Sequence, residues 1–296
     1  MKTLITLIAL TFVTHASLAG PIRDWLKERR HNPQESQQLT LKDVAYGPDA
    51  KQRMDAYMPP SAQGAPVIFM VHGGAWAIGD KRHDKVIDNK RQHWLPRGVG
   101  LVSVNYRLVP QVTPTQQLED ITKALAEAQR QATQWGADPK RFVLMGHSAG
   151  AHLVALLNAD PDAAQKQGAL PWLGAVLLDS AAMDLVKIMQ TPKHYRFYDQ
   201  AFGTDPNYWP AVSPVHKLNA HAAPMLAVCS TQRSEACEQA QALADKAKAL
   251  GVSVTLLPQA LSHSDINQEL GQAGAYTQAV DAFMDGLPGF KPASAP

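Results

Sequence analysis

The sequence predicts an α/β fold with a mostly parallel, doubly wound sheet, and three observations support this prediction. Short apolar runs recur along the chain without alternation, as in strands that are buried on both faces. Helical patterns lie between several of these runs, which is typical of a sheet covered by helices. The chain has 296 residues, 45% of them apolar and 18% charged, as in ordinary globular proteins. We therefore expect one α/β domain over residues 20–296.

The first residues have the pattern of a secretory signal peptide. Lys2 precedes the apolar run Leu4–Val13, and Ser17-Leu18-Ala19 places small residues where a signal peptidase cuts. An apolar run of about ten residues is shorter than the roughly 20 that span a bilayer. We expect residues 1–19 to be removed, leaving a periplasmic or secreted protein without a membrane anchor.

The strands are predicted in two groups. Leu39–Tyr46 and Arg53–Met58 alternate and flank Gly47-Pro48-Asp49, which predicts an antiparallel hairpin at the start of the sheet. The non-alternating runs that follow predict parallel strands: Val67–Val71, Val99–Val104, Phe142–Met145, Ala175–Leu178, Met225–Val228 and Val252–Leu257.

Four helices are predicted between and after these strands. They cover Thr115–Trp135, Ala149–Asn158, Glu238–Leu250 and Ala275–Met284. The interval at about 185–214 is rich in aromatic residues and proline, and it is too long for an ordinary connection. It is interpreted as a cap or lid insertion, or as a crossover in which Ala182–Gln190 forms a short helix on the sheet; both can hold.

Charge and cysteine usage exclude several classes of protein. The 28 basic and 26 acidic side chains nearly cancel, so the basic field of a nucleic-acid-binding protein is missing. The two cysteines do not form a Cys-x-x-Cys motif, and the chain has no His-Glu-x-x-His motif. We expect no metal, no cofactor and no nucleic-acid partner, and we leave the oligomeric state open.

Ser148 is the candidate nucleophile. It lies in Gly146-His147-Ser148-Ala149-Gly150, between a predicted buried strand and a predicted helix. A serine on such a sharp turn needs small residues two positions to either side, because its strained backbone brings neighbouring chain segments close. The N-terminus of the helix behind it favours developing negative charge.

A glycine-rich turn follows the first parallel strand. The strand Val67–Val71 leads into His72-Gly73-Gly74-Ala75-Trp76, whose backbone amides can point at an oxyanion together with the amide of Ala149. A glycine-rich turn after an early strand, followed later in the chain by the serine turn, is the arrangement expected of an oxyanion hole. His72 itself is interpreted as a brace for the loop.

His263 is the candidate base among eleven histidines. A base for the serine should lie in a loop after the last strand, and His263 follows the strand Val252–Leu257. His147 and His152 flank the serine and are interpreted as structural. His216 and His221 precede a strand and so fall at the wrong end of a parallel sheet.

The acid that orients the base has more than one candidate. Glu235 is the first acidic residue after the strand Met225–Val228 and is the preferred choice. Asp179, at the end of the strand Ala175–Leu178, is the alternative, because that strand end also reaches the histidine. Asp184 is a lesser candidate.

Cys229 and Cys237 are expected to form a disulfide. They lie close in sequence and flank a turn, and export would place them in an oxidising compartment. The bond would fix the loop that carries Glu235.

Three strings carry a family resemblance. His-Gly-Gly-Ala-Trp-x-x-Gly-Asp-Lys at 72–81, Asn105-Tyr106-Arg107-Leu108 and Gly-His-Ser-Ala-Gly-Ala-His-Leu at 146–153 resemble the α/β-hydrolase superfamily, from about residue 43 to 287. Within it, the chain is similar to hormone-sensitive-lipase-like, feruloyl-esterase-like (BD-FAE) and kynurenine-formamidase-like enzymes. The resemblance implies a triad of Ser148, His263 and an acid, with oxyanion amides from Gly73, Gly74 and Ala149. The family's acid segment carries an Asp in a Gly-x-x-Asp setting, whereas this chain has Arg233 near that place.

The function these observations predict is that of a secreted serine esterase with a small-molecule ester substrate of short acyl chain. Ser148 would attack the carbonyl and His263 would move the proton. Two alternatives are a catalytically weak or inactive binding protein that keeps the fold, and an arylformamidase-like amide hydrolase.

Overall fold

A mixed sheet of eight strands organises the computed structural model, which describes residues 38–60 and 62–291. The predicted signal peptide, residues 1–19, lies outside the described residues. The strands are β1 (Leu39–Ala45), β2 (Arg53–Met58), β3 (Ala65–Val71), β4 (Gly100–Val104), β5 (Ala137–His147), β6 (Gly174–Leu178), β7 (Met225–Ser230) and β8 (Val254–Gln259).

The strand order confirms the predicted α/β fold. The sheet runs β1-β2-β4-β3-β5-β6-β7-β8, with β1 and β2 antiparallel to their neighbours and β3 to β8 parallel. Parallel pairing aligns the carboxyl ends of β3, β5, β6, β7 and β8 along one edge of the sheet. Ligand and catalytic groups of open α/β sheets lie at that edge.

Ten α-helices accompany the sheet in the described ranges. They are α1 (Asp84–Trp94), α2 (Pro114–Gln131), α3 (Ala149–Ala159), α4 (Pro161–Lys166), α5 (Leu185–Gln190), α6 (Arg196–Phe202), α7 (Pro214–Lys217), α8 (Ser234–Ala249), α9 (His263–Gln268) and α10 (Ala275–Asp285). Short 3-10 turns follow α1 and α2 and precede α7. None of the helices in this part of the chain has the length and apolar character needed to cross a bilayer.

The core lies on both faces of the sheet. Along β3, Val67, Phe69 and Val71 contribute to one apolar cluster, whereas Ile68 and Met70 contribute to the other. Successive side chains of a strand point to opposite faces, so a strand covered on both sides is apolar throughout. Helices α2, α3 and α8 cover the first face, and α1, α9 and α10 cover the second.

Several element bounds differ from the prediction. The last strand starts at Val254 rather than Val252, and α8 starts at Ser234, four residues before the predicted start at Glu238. Helix α1 is absent from the prediction. Its buried face contains Lys90 beside Val86, Ile87 and Trp94, and a lysine in this position breaks the apolar pattern that identifies a helix.

The segment predicted as an insertion forms short helices between β6 and β7. These are α5, α6, the 3-10 turn Trp209–Val212 and the start of α7. Tyr198 and Phe202 of α6 pack against Trp76, with ring centroids 5.8 and 4.7 Å apart. The aromatic residues of the segment therefore cover the loop that follows β3.

Candidate active site

Ser148 lies on a tight turn between β5 and α3. Its φ of +56° is in the left-handed region, which is strained for a residue with a side chain. A Cβ at Gly146 would lie 2.3 Å from the Gly150 carbonyl oxygen, and a Cβ at Gly150 would lie 2.2 Å from that of Val71. Glycine is therefore required at both positions, as the motif predicts.

The loop after β3 passes directly beside Ser148. A Cβ at Gly73 would lie 2.9 Å from the Cβ of Ser148, so only glycine allows this approach. Among the described residues, no hydrogen-bond partner accepts from the amides of Gly73 and Gly74. The amide of Ala149 belongs to the first turn of α3, where helix amides have no partner within the helix. Within the described part of the chain, Gly73 thus has an unpaired amide next to Ser148, and the amide of Ala149 directly follows the serine.

Trp76 anchors this loop in the core. Gly74, Ala75 and Trp76 all have positive φ, so the chain turns sharply there. The indole Nε1 of Trp76 donates to His152 Nδ1 at 3.1 Å, and His152 Nε2 donates to the Val212 carbonyl at 2.8 Å. Burial lowers the pKa of His152 to about 4, which keeps the ring neutral as these bonds require. His152 is structural, and it joins the loop to the inserted segment.

The Gly-Asp-Lys end of the same loop is fixed by polar contacts. Asn105 accepts from the amide of Lys81 at 2.6 Å and donates to Asp80 at 2.8 Å. Lys81 Nζ lies 2.9 Å from a carboxylate oxygen of Asp43 and of the fully buried Asp55. Removing one partner of such a pair leaves an uncompensated buried charge. These contacts hold the end of the loop after β3 in one geometry.

His263 is the first residue of α9, at the carboxyl edge of the sheet. Ser262 caps this helix by accepting from the Asp265 amide at 3.2 Å. The ring of His147 packs on the ring of His263 with centroids 4.6 Å apart, and His147 Nε2 donates to the His263 carbonyl at 2.9 Å. Burial lowers the pKa of His147 to about 3. The neighbour of Ser148 in sequence thus holds His263 beside the serine turn.

Asp179 is the carboxylate that lies against His263. It follows β6, its Oδ2 lies 2.6 Å from His263 Nδ1, and its Oδ1 accepts from the Ser230 amide at 2.8 Å. Its side chain is fully buried. Burial raises the pKa of Asp179, but the hydrogen bonds from His263 and Ser230 and the charge of Arg233 outweigh burial, so its pKa lies below the usual value. The carboxylate is therefore ionised and can fix the orientation of the imidazole.

The preference for Glu235 as this carboxylate is corrected by the structure. Because α8 begins at Ser234, Glu235 lies in the first helical turn, and its carboxylate is 3.4 Å from Arg233 Nε rather than beside His263. Its side chain is 44% exposed. The lesser candidate, Asp184, caps α5 by accepting from the Lys187 amide and contacts His216. Of the three acids, Asp179 contacts His263.

The predicted disulfide between Cys229 and Cys237 is confirmed, with Cα atoms 5.1 Å apart. It joins the end of β7 to the first turn of α8. The loop that it closes contains Ser230, which holds Asp179, and Arg233. Ser230 Oγ also donates to the Leu261 carbonyl at 2.6 Å, which ties this loop to the one that carries His263.

Arg233 contacts both members of the acid–histidine pair. Its Nη1 lies 2.7 Å from Asp179 Oδ2 and 2.6 Å from His263 Nδ1. In the sequence this arginine is visible only as a departure from the family's acid segment, and its contacts could not be derived from the local pattern.

A buried lysine supports the helix that carries His263. Lys90 of α1 is 1% exposed, and its Nζ donates to the Asn267 carbonyl at 2.6 Å and to the Asn267 side-chain oxygen at 3.0 Å. Burial lowers the pKa of Lys90 to about 7. Sequence reasoning missed this residue together with its helix. The signal that could have found it is a cationic residue at the apolar spacing of Val86, Ile87 and Trp94.

Two other histidines in the described part of the chain, His72 and His221, have partners other than Ser148 and His263. His72 is buried, stacks on Tyr106 with centroids 4.5 Å apart and donates to the Gly73 carbonyl, and burial lowers its pKa to about 4. His221 contacts Asp162 at the protein surface. In residues 38–60 and 62–291, no group of three or more histidine, cysteine or acidic side chains is arranged to hold a metal ion.

The geometry resembles a known class of site. A serine on a strained strand-to-helix turn, a histidine backed by a buried carboxylate and unpaired amides beside the serine are the groups that serine hydrolases of the α/β-hydrolase fold bring together. The BD-FAE family matches residues 54–246, which is more than half of the chain. The chain belongs to the BD-FAE family.

Curated relatives are esterases by name. The match to Esterase LipQ of Mycobacterium tuberculosis is 30% identical over 197 residues, 62% of this chain and 46% of that protein. The match to the probable isoprenylcysteine alpha-carbonyl methylesterase ICMEL1 of Oryza sativa is 35% identical over 115 residues, 38% of this chain and 26% of that protein. The chain thus spans between about a quarter and half of the length of these relatives.

Solved structures share the fold. Thermogutta terrifontis esterase 2 in its apo form superposes with a TM-score of 0.69 at 23% identity, covering 87% of this chain and 96% of that one. Esterase B from Lactobacillus Rhamnosis gives a TM-score of 0.66 at 19% identity, covering 90% and 93%. At these identities the likeness establishes the α/β-hydrolase fold alone.

Proposed function

We propose that the protein is a serine carboxylic ester hydrolase in which Ser148, His263 and Asp179 form the catalytic triad. The observation that carries the proposal is the 2.6 Å contact between the buried Asp179 carboxylate and His263 Nδ1, because it leaves His263 Nε2 free to act as a base. The family membership and the esterase names of the relatives support it.

The proposed reaction uses these groups in turn. Ser148 Oγ attacks the ester carbonyl while its proton moves to His263 Nε2, and Asp179 stabilises the imidazolium that forms. The amides of Gly73, Gly74 and Ala149 hold the negative charge that develops on the carbonyl oxygen. His263 returns the proton to the leaving alcohol, and a water molecule, deprotonated by the same histidine, then releases the acid from the acyl-enzyme.

We expect a preference for short acyl chains, of about two to six carbons, because aromatic rings of the inserted segment pack against the loop that lies beside Ser148. Trp76 lies three residues after Gly73 and packs against Phe197, Tyr198 and Phe202 of the inserted segment. These rings pack together beside the loop, and we infer that they limit the length of acyl chain that the site accepts. The measurement is kcat/KM for p-nitrophenyl esters from C2 to C12, with Ser148→Ala as the blank.

Turnover should fall at least tenfold between the C4 and C12 esters; faster turnover of the C12 ester would contradict the preference. Feruloyl esters extend the series by varying the acyl group, and acetylated sugars extend it by varying the alcohol. Faster turnover of an N-formyl arylamine than of every ester would favour the amide hydrolase. A binding protein without activity would turn over none of them and would leave Ser148 unlabelled by a fluorophosphonate.

We also propose that the protein is exported to a periplasmic or extracellular space. The disulfide supports this proposal, since such bonds persist in oxidising compartments. The intact mass of protein purified from its host without reductant should correspond to a chain that begins at Gly20 and lacks the two thiol hydrogens of Cys229 and Cys237. A mass that includes Met1 and both free thiols would contradict export.

A further inference from the structure

Arg233 lies where it can change the proton distribution of the histidine. Its Nη1 is 2.7 Å from Asp179 Oδ2, and this is the same oxygen that faces His263 Nδ1. The carboxylate is fully buried and the guanidinium is 26% exposed, so water screens the contact only in part. A guanidinium stays protonated and can only donate hydrogen bonds.

Two hydrogen-bond arrangements compete at this point. With a proton on Nδ1, His263 and Arg233 both donate to Asp179 Oδ2, and Nε2 is free to accept the serine proton. With the proton on Nε2 instead, Arg233 donates to Nδ1 at 2.6 Å and His263 cannot act as a base. Asp179 favours the first arrangement because its carboxylate can only accept and would lie 2.6 Å from an unprotonated Nδ1 in the second.

The charge of Arg233 also opposes a second proton on the ring. The imidazolium is a cation, and like charges within about 4–6 Å disfavour the charged form of a titrating group. Arg233 therefore offsets part of the stabilisation that the Asp179 carboxylate gives to the imidazolium.

The surroundings keep Arg233 in this position. Glu235 Oε1 lies 3.4 Å from Nε on the solvent side, and the disulfide closes the loop. Tyr198 of α6 faces Arg233 and Glu235, and burial raises its pKa to about 12, so this phenol stays neutral.

Other titratable groups surround the pair from the remaining elements. His147 packs against the imidazole and stays neutral above its pKa of about 3. Burial keeps the pKa of Tyr276 above its usual value, and the α9 region adds the carboxylates Asp265 and Glu269. Burial lowers the pKa of Lys90 to about 7, and its charge acts on His147.

We propose that Arg233 is a positioning residue that sets the charge state of the Asp179–His263 pair and extends esterase activity to lower pH. The inference rests on the triad proposed above.

The test is the pH dependence of kcat/KM for p-nitrophenyl butyrate in wild type, Arg233→Gln and Arg233→Lys. In Arg233→Gln the midpoint of the acid limb should move up by about one pH unit, which is about a tenfold loss below the limb with little change on the plateau. In Arg233→Lys the charge remains, and the limb should stay within about 0.3 units. Arg130→Gln, which removes an exposed arginine bound to Glu127, controls for net charge.

An unmoved limb in Arg233→Gln overturns the proposal whatever happens to the plateau, because a purely structural role would lower the rate equally at all pH values. Lys90→Met is then introduced into both the wild type and Arg233→Gln. The shift of the acid limb caused by Arg233→Gln should be the same with and without Lys90→Met. A difference that vanishes in the Lys90→Met background would assign the limb to Lys90 instead.

A second measurement does not need turnover. In Ser148→Ala protein, the NMR titration of the His263 ring protons should move to higher pH when Arg233 is replaced by glutamine. This shift would appear even if Ser148 were not the nucleophile, so failure of the triad proposal and failure of this one are distinguishable. Equal titration of the two proteins would overturn the role of Arg233.

Discussion

Replacing Ser148 by alanine is expected to reduce kcat for p-nitrophenyl butyrate by at least four powers of ten, since loss of a triad serine typically has an effect of this size. Residual activity should stay below about 1% of wild type. The thermal midpoint should be unchanged or slightly raised, because the half-buried side chain is small and hydrogen-bonds to no other described residue. The substitution should therefore remove activity without lowering thermal stability.

The matched control is Ser264→Ala. Ser264 is exposed and lies in the first turn of α9, directly after His263, so this variant has the same serine-to-alanine change near the site without touching the serine turn. It should keep activity within about twofold of wild type, and a fluorophosphonate should label this variant and not Ser148→Ala. Activity above about 1% in Ser148→Ala, or continued labelling, would remove Ser148 from the role of nucleophile.

The serine turn and the glycine loop could be predicted from sequence because both depend on short-range sterics. Gly146 and Gly150 are required by contacts of 2.2–2.3 Å that any Cβ would make, and Gly73 by its approach to Ser148. Such contacts require glycine at fixed distances from the serine along the chain, and this pattern can be recognised in the sequence. The strands were predictable for a similar reason, since burial on both faces removes polar residues from a continuous run.

The acid could not be predicted with the same certainty because it depends on long-range geometry. β6 and β7 are neighbours, and the carboxyl ends of both lie near His263. The choice between Asp179 and Glu235 is set by where α8 begins and by the Ser230 amide that holds Asp179. Neither feature is visible in the residues around Glu235, which differ from the family's pattern at Arg233.

Two helices near the site were also outside the prediction, for different reasons. The apolar face of α1 is interrupted by Lys90, whose partner is Asn267, 177 residues later in the chain. Helix α9 has six residues and is too short to show a helical period. Local periodicity identifies a helix only where its buried face is apolar and spans several turns.

The identity of the acid leads to the second large expected effect. Asp179→Asn should lower kcat by about 10³- to 10⁴-fold, because an asparagine amide can donate to Nδ1 and so favour the tautomer with its proton on Nε2. Arg233 adds to this effect, since its Nη1 already lies 2.6 Å from Nδ1 and can donate to it. With Nε2 protonated, His263 cannot accept the proton of Ser148.

Glu235→Gln is the matched comparison, since it makes the same carboxylate-to-amide change on the other neighbouring segment. Glu235 is 44% exposed and contacts Arg233 through one ion pair, so kcat on the pH plateau should stay within about twofold of wild type. Both variants are compared by kcat for p-nitrophenyl butyrate, with near-ultraviolet circular dichroism to show that the buried site remains folded. Full activity in Asp179→Asn together with a loss in Glu235→Gln would return the acid to the segment after β7. A loss of kcat in both variants would indicate that Glu235 acts through Arg233 on the Asp179–His263 pair. In that case the pH profile of Glu235→Gln should move in the direction opposite to that of Arg233→Gln, because Glu235→Gln leaves the Arg233 cation without its counter-charge.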